Sequence, residues 1–204
     1  MTRAYDSSGK RTELIRAAKH LFYRQGYRTT TLDNVAREAA VPLGNVHYYF
    51  QTKQSLAEAV IASHAETLQN TYARWEQQND DPRLRLGRLV TAPLDSVESV
   101  IRSGCPHGSL CQELGKLEDS PLAAHASQLL ALSIDWAQKQ FQRMGADERQ
   151  SRERAEELVA AVQGTMFLAH TLRSPQLLAG QLNRIKQRLD EQALNFGKGV
   201  NADE

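Results

Sequence analysis

Between Thr30 and Lys53 the chain gathers hydroxyl, amide, imidazole, phenol and ammonium groups at spacings that suit reading a polyanion rather than making or breaking bonds. Leu43, Gly44, Asn45, His47, Tyr48 and Tyr49 lie close together, with Thr30 and Thr31 ahead of them and Lys53 just behind. The major groove of B-DNA exposes a distinct donor and acceptor pattern for each base pair, and phosphate contacts fix where a helix lies over that pattern. Base-edge contact is expected from Leu43, Gly44, Asn45 and His47. Asn45 can pair with adenine, Leu43 can touch a thymine methyl, and Gly44 lets the backbone come close. Phosphate positioning is expected from Thr30, Thr31, Tyr48, Tyr49 and Lys53, with Arg28 and the outer Arg3, Lys10 and Arg11 beside them. Each tyrosine has a second reading, as a lid on the core of a small head.

A second chemical locus is the run Gly104-Cys-Pro-His-Gly-Ser-Leu-Cys111. A helix beginning at Pro106 would place Cys105 at its cap, where unpaired amides and the positive helix end favour a thiolate. His107 adds positive charge when protonated. The plainer reading is a small packed cysteine, and it is stronger for Cys111, which shares a stripe with Leu110, Leu114 and Leu117. Six helical residues turn about 240°, so an intrahelical disulfide is not expected. Neither metal nor other cofactor is expected, because no fourth ligand accompanies Cys105, His107 and Cys111. No phosphate-cradling glycine loop or nucleophile elbow is present, and Ser109 beside His107 lacks an orienting acid, so an enzyme is not expected.

Helices must position these groups. Apolar residues recur at helical spacing almost throughout, and no alternating β-branched run suggests a sheet, which predicts an all-α chain. A first helix is expected over residues 10–25, with Leu14, Ile15, Ala18, Leu21 and Phe22 on one face and Gly26 as its stop. Thr31 can cap a second helix whose Leu32, Val35, Ala36 and Ala39 turn inward. Pro42 and Gly44 punctuate the turn before a third, anchored by Val46 and Phe50. Thr52 can cap a long fourth helix over residues 53–78, a lever that starts at the reading head. A fifth segment over 82–103 contains Pro93, which removes a backbone donor and should bend or split it. Further helices are expected over 106–117, 121–144, 151–172 and 175–195, three of them opened by Pro106, Pro121 and Pro175. The tally is nine.

The overall charge of +1 conceals an uneven distribution. Residues 1–53 hold nine Lys/Arg against four acids, a surplus of five, so the rest of the chain is net −4. A basic head on an acidic body suits a protein whose N-terminal part alone meets a polyanion. Two cysteines are too few for a disulfide framework, no signal-peptide pattern opens the chain, and no apolar run approaches the roughly 18 residues of a membrane span. A reducing cytoplasm and no membrane partner are the expectation.

The head resembles the TetR/AcrR family of bacterial transcription regulators. The resemblance rests on Ala17-Ala-Lys-His-Leu-Phe22, Gly26-Tyr27, Thr30-Thr-Leu-Asp-Asn-Val-Ala-Arg-Glu-Ala-Ala-Val41 and Gly44-Asn-Val-His-Tyr-Tyr-Phe-Gln-Thr-Lys-Gln-Ser-Leu56. Residues 10–56 carry nearly all of it, and beyond them only helix number, helix length and the terminal hairpin agree. His47 stands where the family often has tyrosine, and Leu43 is apolar where many relatives are polar, so the operator cannot be copied from a relative. The resemblance implies an N-terminal three-helix helix-turn-helix domain (1–52) and a C-terminal helical bundle (53–204) for effector binding and dimerisation. It implies a homodimer on a palindromic double-stranded DNA operator, usually a repressor released by a small molecule, and some members sense electrophiles or oxidants through cysteine, so modification of Cys105 is the second route of release expected. An effector would meet residues drawn from Trp75, Cys105, His107, His125, Trp136, Met166, Phe167 and His170, each of which is otherwise ordinary core. The last two helices carry Leu158, Val162, Leu178, Leu182, Ile185 and Leu189, a stripe that either forms a dimer interface or covers the domain's own core. An architectural DNA binder without effector response is the alternative class.

Overall fold

The computed structural model describes residues 7–117 and 120–196, and every regular element among them is helical. The elements are α1 (Ser7–Gln25), α2 (Leu32–Glu38), α3 (Leu43–Tyr49), α4 (Lys53–Gln78), α5 (Pro82–Thr91), a 3-10 turn (Ala92–Ser96), α6 (Val97–Ser103), α7 (Pro106–Leu114), α8 (Pro121–Arg143), α9 (Glu148–Thr171) and α10 (Pro175–Phe196). All nine expected helical segments are present. The fifth is the one divided: Pro93 has no N–H to offer the preceding turn, and the chain tightens to a 3-10 turn before α6 resumes. The ninth, α10, and also α7 and α8, open on the expected prolines. The helix expected from Ser151 begins earlier, at Glu148, because Asp147 accepts the Gln150 amide at 2.8 Å and caps it. No helix among the described residues is long and apolar enough to cross a membrane.

The described residues group into two compact units, those lying within 1–67 and 109–129, and those lying within 68–108 and 130–204. Lys53, where the sequence places the domain boundary, is the first residue of α4. In the first unit Leu14, Ala18, Val35, Val46, Leu56 and Val60 are fully buried, so these residues of the expected apolar faces of α1 to α4 are turned inward. α1 packs on α2, and α2 on α3. Reciprocal bonds between Thr52 and Ser55, each side chain taking the other's amide at 3.0 and 3.4 Å, start α4 as the capping residue predicts.

In the second unit α10 packs against α5 and α9, and α9 against α6. Its core runs from Tyr72 and Trp75 through Trp136 and Phe141 to Met166, Leu178 and Leu182. Burial of each such leucine contributes about 1.5–3 kcal/mol.

Candidate nucleic-acid interface

α2 is fixed by a reciprocal cap. Thr31 Oγ1 accepts the Asn34 amide at 3.1 Å while Asn34 Oδ1 accepts the Thr31 amide at 3.0 Å. The Thr31 side chain stays exposed and its hydroxyl hydrogen is not used by the cap, which leaves it able to donate to a phosphate. Three residues on from α2, Pro42 leads into α3 without a side-chain cap. Val46 and Phe50, 0 and 3 % exposed, pin α3 to the core. The opposite face is turned out: Leu43, Gly44, His47 and Tyr48 are exposed and Asn45 is half-buried.

The two tyrosines differ from one another. Tyr48 is 78 % exposed. Its ring meets Tyr49 edge-on at 4.9 Å. Tyr49 is turned inward, with its hydroxyl buried and no hydrogen-bond partner among the described residues, so the phosphate contact expected of it is not presented. Thr30 is likewise corrected. It is 0 % exposed, donates to the Gly26 carbonyl at 2.7 Å and accepts from Gln25 Nε2 at 3.2 Å, which makes it a fastener of the α1–α2 loop.

Lys53 is the larger correction. Its ammonium donates to the carbonyls of Tyr27, Arg28 and Thr30 at 3.1, 3.2 and 3.0 Å, one for each of its three hydrogens. It also sits 4.4 Å from the centre of the Tyr27 ring. Burial lowers its pKa from the ordinary lysine value, and the Glu113 carboxylate acts in the opposite sense. A lysine so engaged holds the loop and is not a spare hand for phosphate. Arg28, by contrast, is exposed. Lys10 and Arg11 lie at the start of α1, where Arg11 stands 5.2 Å over the Phe50 ring; Arg3 is outside the described residues.

The other side of the same loop is held by a residue that sequence reasoning missed. Glu113 of α7 accepts the Tyr27 amide at 2.7 Å on one oxygen and the Arg28 amide at 2.6 Å on the other. Nothing in the sequence ties a glutamate to a loop 85 positions earlier.

Of the residues expected to meet an effector, Trp75, Cys105, Trp136 and Met166 fall in one buried cluster of the second unit. Tyr72 stacks on Trp136 with centroids 4.5 Å apart and planes 12° from parallel, and Trp75 meets Trp136 edge-on at 5.7 Å. Tyr72 donates to Ser133 at 2.7 Å, and burial pushes its phenol pKa up to about 12. Glu76 accepts from Trp136 Nε1 and Gln140 Nε2 at 2.9 Å each and from Arg143 at 3.1 Å. Cys105 is buried and caps α7, its sulfur accepting the Gly108 amide at 3.3 Å, while Cys111 Sγ donates to the Ala126 carbonyl at 2.9 Å. His107 is half-buried, and His170 places Nδ1 3.0 Å from the Ile101 carbonyl. His125 is exposed and belongs to the first unit, and Phe167 is 56 % exposed, so neither joins the cluster.

The expected dimer stripe resolves to its other reading. Leu158, Val162, Leu178, Leu182, Ile185 and Leu189 are all 7 % exposed or less within a single chain, so they have almost no surface left to bury against a second copy. They go inside because α10 lies against both α5 and α9. The large apolar groups left out on α9 and just beyond it are Phe167, Leu168 and Leu172.

Comparison with known proteins agrees with this head. Residues 14–60 match the model of the "Bacterial regulatory proteins, tetR family". An uncharacterized HTH-type transcriptional regulator of Lactococcus lactis is 24 % identical over 92 % of this chain and 96 % of its own length. The uncharacterized HTH-type transcriptional regulator TtgW of Pseudomonas putida is 33 % identical over 47 % of this chain and 69 % of its own length. A TetR transcriptional regulator from Legionella pneumophila superposes with a TM-score of 0.78 at 20 % identity, covering 92 % of this chain and 99 % of that one. An all-helical chain with a helix-turn-helix head, matched in sequence at that head and in fold nearly throughout, belongs to the TetR family: it is a DNA-binding regulator of transcription and not an enzyme.

Proposed function

We propose that the protein is a homodimeric repressor whose residues 1–52 hold a palindromic operator and whose residues 53–204 release it when a small molecule binds. The observation that supports the DNA half of this reading is the outward face of α3, where Leu43, Gly44, His47 and Tyr48 are exposed around the buried anchors Val46 and Phe50. A two-fold pair of such helices reads two half-sites about one helical turn apart. Exposed Phe167, Leu168 and Leu172 supply apolar surface for the second copy. The effector is a flat or amphipathic molecule that opens the Tyr72, Trp75 and Trp136 cluster, where Glu76 offers a carboxylate. Release by this non-covalent route is favoured over modification of Cys105, whose sulfur is buried against Gly108.

Selection of bound fragments from genomic DNA, followed by footprinting, tests the reading. A two-fold symmetric footprint is the expected result. Asn45→Ala should cost about 1–3 kcal/mol of discrimination at one base pair in each half-site; equal losses on every sequence would remove Asn45 from base reading.

A further inference from the structure

The loop between α1 and α2 carries backbone groups that neither helix satisfies, and two opposite charges from distant elements take them up. Gly26 ends α1 at φ +89°, a left-handed conformation, and turns the next two amides away from the helix. Those amides converge on the two carboxylate oxygens of Glu113. The carbonyls of Tyr27, Arg28 and Thr30 converge on the Lys53 ammonium. The fit around Gly26 is close: a Cβ there would stand 2.9 Å from Glu113 Oε2. The arrangement also asks for a carboxylate in particular. Two N–H groups each meet an oxygen, and a glutamine could offer an acceptor to only one of them while turning its own N–H bonds on the other.

We propose that Glu113 is a positioning residue for operator binding. It acts with Lys53 to set the loop that delivers the Arg28 side chain and the Thr31 cap to DNA, without itself touching the duplex. The inference rests on the operator-binding reading above. Hydrogen bonds from backbone amides to an ionised carboxylate are among the stronger ones, so the pair fixes the entry into α2 more firmly than neutral turn bonds would. Loss of the carboxylate leaves α3 and its side chains unchanged but lets Arg28 and Thr31 wander over the phosphates they address. The effect is therefore independent of operator sequence. It also differs from losing a phosphate contact, because no cation is removed and the number of displaced counterions stays the same.

The test compares full-length Glu113→Gln and Glu113→Ala with Arg28→Ala on the selected operator, over a range of salt, alongside amide hydrogen exchange of the free proteins. Both Glu113 variants are expected to bind at least about tenfold more weakly on matched and mutated operators alike, with the salt dependence of the wild type. Arg28→Ala should instead flatten that dependence by about one phosphate. Exchange at the Tyr27 and Arg28 amides should quicken in the Glu113 variants and not in Arg28→Ala. Quickened exchange with unchanged operator affinity would overturn the positioning role, as would a flattened salt dependence in Glu113→Gln. If Glu113→Ala unfolds, the near-isosteric glutamine decides alone. Failure of the wild type to select any DNA would overturn the operator-binding reading itself, and the exchange comparison would still report whether the carboxylate holds the loop.

Discussion

The outward face of α3 and the loop between α1 and α2 lie within 25 residues of one another in the sequence and handle polarity in opposite ways. Along α3, Leu43, His47 and Tyr48 are turned to solvent, over a fully buried Val46. In the loop, amides go to Glu113, carbonyls to Lys53, and Thr30 is closed off from solvent. The lesson is that basic and hydroxyl groups in a DNA-reading head fall into two populations. One is turned to solvent, where the operator-binding reading needs it, and the other is consumed in holding the loop.

Substitutions on either side of that division should separate stability from binding. The largest effect belongs to the anchor beneath the reading face: Phe50→Ala should cost about 3–5 kcal/mol in chemical denaturation. Tyr48→Ala, on the exposed side, should stay within about 0.5 kcal/mol of the wild type. Next comes Lys53→Ala, which takes a donor from three carbonyls, of which Tyr27 keeps the Thr30 amide, and should cost about 1–3 kcal/mol. It should weaken operator binding without flattening the salt dependence, whereas a flattened one would return Lys53 to the phosphate-contacting population.

The second unit provides a pH-dependent counterpart. Burial raises the Glu76 carboxyl pKa, but the hydrogen bonds of Gln140, Trp136 and Arg143 outweigh it and hold the group below the ordinary 4.5. A carboxyl with a depressed folded pKa contributes stability above the unfolded value and loses it as pH falls through the folded one. Thermal melts should therefore find Glu76→Gln less stable than the wild type at pH 7, with the gap closing below about 4.5. A constant gap across that range would mean that the charge on Glu76 contributes nothing. The smallest expected change is at Gly44, where a Cβ would meet nothing within 4 Å. Gly44→Ala should leave the melting temperature within error and reduce operator affinity, because on the operator-binding reading the added methyl meets DNA.

Much of the architecture was legible because helix ends are written locally. Thr31 and Thr52 cap, Pro106, Pro121 and Pro175 open helices, and Pro93 interrupts one, each within a few residues of its effect. The face of α3 was legible for the same reason, since Val46 and Phe50 declare which side is inward. What failed was long-range assignment. Adjacent Thr30 and Thr31 look alike in sequence, yet the first is closed in by Gly26 and Gln25 while the second stays exposed. Lys53 carries the charge of a phosphate contact and spends it on carbonyls more than 20 positions back. The apolar stripe of α9 and α10 admitted two partners, and only the packing of α10 on α5 as well as α9 shows that the chain covers it itself.

The open space around Gly44 bears on how such a regulator changes its target. A position where an added Cβ meets nothing within 4 Å accepts alanine without a collision in its own fold. On the operator-binding reading proposed above, a change to alanine there is tested against DNA rather than against the fold, so a duplicated copy of this chain has a short path to a new set of genes.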